Sequence, residues 1–406
     1  MLKNILGQIS PRMNIMLINQ ISILLTFPIV LSCMSNYSFG LVGTSLIIMQ
    51  AGWVIIDWAS TVYFTEIWHN FSGQLEKSKV ISRHILSRIL MGSAYLMMIS
   101  VTIFMNIITL PWELYLVIVP GVFAGGLFPL WFFHIIKKPG ELVGITLFSR
   151  TFFVLMTFLL IKSDADVNIY LALQSFTLSL ITLFAYRRMF LFHNLRWQPT
   201  NINDVIKHLK KNTPFMLNTL SNNHIHTFWS LSLLILSGPI SIGLYSIADQ
   251  AYRAGNSISA TFAQVIRVNT IQEKLANTWF IVLIFMFLVF TIFIMGQWII
   301  SNILPGFLTN DYKGLIYILR IMLTIWLVQA WIKFINYSIL GKVLGIETLH
   351  KFSLWITLLH LICIFIWAIN TSSIDRFTEF FLYASIIQFF ILMSPVISKR
   401  YKSKNL

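Results

Sequence analysis

Apolar runs of about 20 residues recur along this 406-residue chain from end to end, and that constrains its fold more than any motif. A run of that length crosses the ~30 Å hydrocarbon core of a bilayer as a helix. Charged residues make up only 11% of the sequence and mean hydropathy is +0.78. A soluble domain carries about 25% charged residues, so a water-facing surface is excluded for a core this size. A barrel would instead show ~10-residue alternating segments, which are absent. The expected class is an all-α polytopic membrane protein.

About twelve spans can be laid out: Met13–Cys33, Gly40–Phe64, Ile85–Ile107, Trp112–His134, Leu142–Ile161, Asn168–Tyr186, Pro214–Leu236, Ile242–Gln264, Asn277–Ile299, Leu315–Leu340, Phe352–Ile369 and Glu379–Val396. The first has no small-residue cleavage site and is kept as a span rather than a signal peptide. Net charge is +15, from 29 Lys+Arg against 14 Asp+Glu. If both termini are cytoplasmic, 22 of the 29 basic residues, Arg83 and Arg88 among them, fall at the inner side. Lys162, Lys313 and Arg376 fall outside. Such asymmetry is the positive-inside pattern, and it explains the charge without nucleic acid.

The longest polar connection, 187–213, divides the chain into an N-terminal lobe (1–186) and a C-terminal lobe (214–406) of six spans each. Within it, Asn203 or Asp204 is expected to cap a short surface helix on the inner leaflet. Both lobes begin inside, so a repeat would be parallel. Ser38-Phe39-Gly40-Leu41 opens the second span, and Ser241-Ile242-Gly243-Leu244 opens the eighth. Cys33 and Cys363 form no metal or disulfide pattern. No phosphate-binding loop, dinucleotide fingerprint or hydrolase motif occurs, and no cofactor is expected.

Four cations remain inside the spans: Arg150, Arg253, Arg320 and Lys333. A charge at bilayer depth costs at least a few kcal/mol, so it faces a polar cavity, meets a partner or snorkels. Asp249 and Arg253 lie one turn apart on the eighth span, either as a neutralised packing pair or as an oriented anion-binding arginine. Arg150 reads equally as a substrate contact or as snorkelling. Arg320 and Lys333 sit nearer span ends, where snorkelling is favoured. Asp57 is a cation or proton site, or the partner of an arginine. His224 and His226 stand two apart, so they cannot share a helix face and make a poor metal pair; either could carry a proton. His134 and His360 read as interhelical hydrogen bonders, and Pro28 can kink the first span.

Several strings resemble those of the bacterial O-antigen/polysaccharide flippases (Wzx-type) of the multidrug/oligosaccharidyl-lipid/polysaccharide exporter superfamily. Asp57-Trp58 is similar to an Asp-aromatic-Gly element, with Ala59 in place of glycine. Pro129-Leu130-Trp131-Phe132-Phe133 resembles a Pro-x-Trp-aromatic stretch, and Gly243-Leu244-Tyr245-Ser246-Ile247-Ala248 a Gly-x-Tyr-Ser-x-Ala element. Pro305-Gly306-Phe307-Leu308 and Leu319-Arg320-Ile321 fit the region of the tenth span. The resemblance implies two six-helix lobes around a central cationic cavity in the bacterial inner membrane. It implies alternating access that carries an undecaprenyl-diphosphate-linked sugar repeat unit outward. Arg253, Arg150, Arg320 and Lys333 would contact the substrate. Asp57, Asp249 or His224 would couple to a proton or sodium ion. Polysaccharide polymerase and chain-length proteins would be functional partners. A multidrug exporter of the same superfamily and a membrane polymerase or glycosyltransferase are the alternatives; short outer loops argue against the enzyme.

Overall fold

The computed structural model describes residues 2–71, 73–223, 225–270, 275–306, 313–335, 346–370 and 373–402, some of them as backbone only. His224 lies outside the described residues. Every long element is helical, with no strand among the described residues. In order they are α1 (Leu2–Cys33), α2 (Asn36–Asp57), α3 (Ser60–Ile67), α4 (Gln74–Phe104), α5 (Trp112–Leu127), α6 (Leu130–Ile135), α7 (Val143–Leu160), α8 (Val167–Phe192), α9 (Ile202–Asn223), α10 (Ile225–Leu236), α11 (Pro239–Thr270), α12 (Leu275–Asn302), α13 (Lys313–Ile335), α14 (Ile346–Asn370) and α15 (Ile374–Lys402).

Eight helical stretches among the described residues are long and apolar enough to cross a membrane, and Leu17–Cys33, Ile225–Leu236 and Trp355–Ile369 are shorter apolar helices. With the more polar α11, they correspond one for one to the twelve expected spans. The all-α polytopic reading holds, and the chain is a multi-pass membrane protein.

Contacts divide the chain into two compact units. One covers Leu25–Gly243. Its centre is α2, whose span is 89% buried, packed against α4, α5 and α8. The other joins the chain up to Leu24 to Leu244–Leu406. There α13 packs on α12 and α15, and α14 on α15. The α12 span is only 11% buried, so it lies at the surface of its unit with its apolar side chains exposed.

Three local features differ from the sequence expectation. The second span breaks after Asp57: Trp58 and Ala59 take the left-handed conformation, at φ 46° and 57°. The fourth span breaks at Phe128–Pro129, because proline cannot donate to the preceding turn. The linker helix is capped by Asn201, whose Oδ1 accepts from the Asn203 N–H at 3.2 Å, and not by Asn203 or Asp204. An N-cap side chain reaches forward two or three residues, which Asn201 can do from outside the helix. Asp204 instead stabilises the first turn and pairs with Arg83 at 3.3 Å.

Hydrogen bonds hold the linker against α4. Gln74 Nε2 donates to the carbonyls of His193 (2.7 Å) and Asn194 (3.0 Å). Ser78 and Ser82 accept from the Arg196 and Gln198 N–H groups at 3.2 and 2.9 Å.

The two glycines of the four-residue echo meet within the 25–243 unit. A Cβ on Gly40 would lie 2.1 Å from the Pro239 carbonyl oxygen, and one on Gly243 would lie 3.2 Å from the Gly40 Cα. Two backbones touch there, and a side chain cannot move a backbone aside cheaply. Overpacking of this kind costs about 1–3 kcal/mol or more. Gly40→Ala is therefore expected to lower the thermal unfolding temperature and folded yield in detergent. Gly144→Ala, where an added Cβ meets nothing within 4 Å, should change neither.

Candidate functional site

In the unit that holds Leu244–Leu406, the polar residues gather on facing sides of α11 and α13. Asp249 is buried, and its Oδ2 accepts from Arg253 Nε at 2.6 Å. Its Oδ1 is buried without a hydrogen-bond partner. Among the described residues, only Asp249 accepts from the Arg253 side chain, and it takes the Nε–H alone. The two terminal nitrogens, four of the five guanidinium N–H donors, are left over. One further turn along α11, buried Asn256 accepts from Lys333 Nζ of α13.

Lys333 is itself buried, which corrects the snorkelling reading: its stem runs into the unit rather than out toward water. The pattern 249, 253, 256 follows the i, i+4, i+7 spacing of one helix face. A carboxylate, an arginine fork and a lysine therefore share a small buried region with a net positive charge. Trp326 Nε1 and Ser259 Oγ continue the contact between these helices at 3.3 Å.

One turn before Lys333, Gln329 begins a second polar network. Its Nε2 donates to Ser385 Oγ (3.0 Å) and Gln388 Oε1 (2.9 Å), and the same Oε1 lies 3.1 Å from His360 Nε2. A carbonyl oxygen only accepts, so His360 carries its proton on Nε2 here. His360 is thus an interhelical hydrogen bonder, as its sequence context suggests.

In the other unit, Arg150 of α7 is buried, not snorkelling, and its Nη1 donates to Gln174 Oε1 of α8 at 2.9 Å. Its guanidinium lies 6.0 Å from the Phe153 ring. One turn before Gln174, the Tyr170 hydroxyl is 3.1 Å from Thr26 Oγ1. Ser149 Oγ, Ser175 Oγ and Gln174 Nε2 are buried nearby in sequence without hydrogen-bond partners.

Asp57 is the partner of an arginine. Arg88 Nη2 lies 3.3 Å from Asp57 Oδ1. The same guanidinium donates to the carbonyls of Ile56 and Leu127 at 3.3 Å each, of Phe128 at 3.4 Å, and of Gly126. It thereby neutralises the carboxyl ends of α2 and α5 at their breaks. Sequence analysis placed Arg88 among the inner-side cations. The correction comes from α4, which starts at Gln74 and sets Arg88 ~21 Å along the helix, nearly fully buried.

A directional hydrogen-bond chain lies beside that clamp. Ser60 Oγ donates to the Asp57 carbonyl. It must then accept from His84 Nε2 at 2.8 Å, and His84 Nδ1 accepts from His208 Nε2 at 3.1 Å. Asn212 Nδ2 donates to the Trp58 carbonyl at 2.8 Å. Linker helix α9 is thereby fastened to the α2–α3 break. The aromatic string 131–133 packs on the same place, with Trp131 stacked 4.4 Å from Phe64. Two of the family-like strings thus act as packing, and neither contacts a candidate substrate group.

The remaining sequence candidates stand apart. Arg320 is exposed and exchanges hydrogen bonds with Gln297, its Nε to Oε1 at 3.3 Å and the amide back to the Arg320 carbonyl at 3.0 Å. His226 is buried in α10. Sequence reasoning missed Asn256, Gln174, His84 and His208. Only their helical register relative to Arg253, Arg150 and Ser60 could have singled them out. No cluster of three or more His, Cys, Asp or Glu suited to a metal occurs among the described residues.

Two outcomes follow from the linker contact. Burial pushes the His208 pKa down to about 4, helped by Arg83 and Lys211. The unfolded chain, near 6.5, binds the extra proton between these values, so stability rises with pH across that window and is lost as pH falls from about 6.5 toward 4. Between about pH 7 and pH 5 the imidazole contributes a loss of about 2 kcal/mol. Thermal unfolding in detergent should show a smaller acid shift in His208→Gln than in wild type. Separately, Ala59→Gly should raise the unfolding temperature, since glycine accepts φ 57° without the Cβ penalty.

The sequence matches no protein-family model and no curated protein. Among solved structures, it is similar to the lipid II flippase MurJ in an inward closed conformation, with a TM-score of 0.72 and 16% identity over 92% of this chain and 85% of that one. It is also similar to a MATE family multidrug resistance transporter of the MOP superfamily. The inward-facing form gives a TM-score of 0.63 at 11% identity, over 95% and 96% of the two chains. The outward-facing form gives 0.57 at 14%, over 98% and 96%. The chain therefore has the fold of these solved structures.

Proposed function

We propose that the chain is a flippase rather than an enzyme, and that it moves a lipid-diphosphate-linked oligosaccharide from the inner to the outer leaflet by alternating access. The cargo class is the repeat unit of an O-antigen or related surface polysaccharide. Arg253 carries the reading: Asp249 holds its Nε and leaves the terminal nitrogens for a bidentate bond to phosphate. Lys333, positioned by Asn256, supplies a second charge to the same region. The likeness to a lipid II flippase supports a lipid-linked cargo. Arg150, Arg320, the lobe boundary at 187–213, cytoplasmic termini and coupling through Asp249 or His224 to a proton or sodium ion belong to the same proposal.

A multidrug exporter is the second reading, favoured by the likeness to MATE transporters over nearly their whole length. An exporter of organic cations calls for an acidic interior. Here, on α11 and α13 of one unit, Arg253 and Lys333 stand against the single carboxylate Asp249. The balance supports an anionic cargo.

Arg253→Ala should abolish export while the protein still inserts, and Arg253→Lys should retain part of it. The measurement is the leaflet in which single lipid-linked repeat units accumulate when the variant is the only copy in the cell. Inner-leaflet accumulation supports the flippase. Equal export by wild type and the alanine variant would overturn the role of Arg253. Accumulation on the outer face would indicate a polymerase. Binding of an organic cation in place of a lipid diphosphate by the purified protein would favour the exporter.

A further inference from the structure

The outer surface of the 25–243 unit carries a shallow groove of about 470 Å³ between α5 and α8. Pro120 and Leu127 form one wall, and Phe176, Leu180 and Leu183 the other, so its lining is almost wholly apolar. Phe176 and Leu183 are exposed. Both helices belong to candidate membrane spans, and a lining this apolar suits hydrocarbon rather than water. Its length decides what fits. From Phe176 to Tyr186 α8 rises ~15 Å, half of the ~30 Å bilayer core. That is the depth of one leaflet.

The groove has one polar end. Tyr186 closes it, its hydroxyl donating to the Leu127 carbonyl at 2.8 Å. Positions 176, 180, 183 and 187 form one stripe of α8, so Arg187 follows Leu183 by a turn on the lining side. Arg187 is exposed and makes no ion pair with a described residue. Its neighbour Arg188 is already held by Glu141 at 2.8 Å. A free cation thus stands one turn beyond a leaflet-deep apolar channel.

We propose that this groove is a binding site for an anionic phospholipid of the adjacent leaflet, with one acyl chain between α5 and α8 and the phosphate on Arg187. The inference depends on membrane embedding alone and stands whether or not the transport reading does. Groove length selects a chain of leaflet depth, and the single unpaired arginine selects a negative headgroup over a zwitterionic one.

Native mass spectrometry of the purified full-length chain tests this with phosphatidylglycerol and phosphatidylcholine of identical acyl chains, and with a polyprenyl phosphate. Wild type should retain phosphatidylglycerol about fivefold over phosphatidylcholine, the contribution of one arginine at an anionic surface. Arg187→Gln should erase that preference while phosphatidylcholine retention stays. Ser179→Phe, which fills the groove, should reduce both. An unaltered preference in Arg187→Gln, or unaltered retention in a monodisperse Ser179→Phe, would overturn the site. Preferred retention of polyprenyl phosphate would overturn the choice of a phospholipid. Independently of any variant, a diazirine-acyl phosphatidylglycerol in nanodiscs should crosslink to the α5 and α8 peptides of wild type. Crosslinks elsewhere only would also overturn it.

Discussion

A backbone carbonyl without a partner is costly where there is no water, and the two breaks in the 25–243 unit create several such carbonyls. Helix α2 ends at Asp57 and α5 at Leu127, leaving their last turns open. Arg88 answers both: one guanidinium reaches Ile56, Gly126, Leu127 and Phe128, with the Asp57 carboxylate balancing its charge. Arg is suited to this because its five donors fan out in a plane. Asn212 and Ser60 complete the accounting at Trp58 and Asp57. These donors satisfy the carbonyls that the breaks leave open, at the place where α9 docks.

The same rule separates the cations of the spans by task. Arg88 is saturated by carbonyls, so it has nothing to offer a ligand. Arg150 is tied to Gln174, and Arg320 exchanges bonds with Gln297 on an exposed face. Arg253 differs because its partner is a carboxylate one turn away on its own helix, which holds Nε and orients the terminal nitrogens. Among the described residues Lys333 is held through the neutral Asn256 side chain, with no carboxylate paired to it. Burial alone therefore does not mark a substrate contact; residual donors and uncancelled charge do.

The family-like strings acquire a physical meaning of their own. Gly243 and Gly40 let two helices touch at backbone distance. Tyr245 is buried against Phe377, 5.5 Å between ring centres. Trp131 stacks on Phe64 beside His84. Ala59 takes a left-handed conformation, one that glycine adopts without strain.

The sequence by itself determined the all-helical membrane class, the order of its apolar helices and the Asp249–Arg253 pair. Those depend on local properties: hydrocarbon length sets the run of apolar residues, and helical period sets which neighbours share a face. Tertiary structure decided what those properties leave free. It moved Arg88 from an inner-side cation to the interior because a helix start lies eleven residues earlier than the apolar run suggests. It turned Asp57 toward Arg88 and brought Lys333 to Asn256, pairings between residues more than thirty positions apart. Long-range pairing is written in no local pattern, since it arises only when separate helices choose which faces to bury against each other.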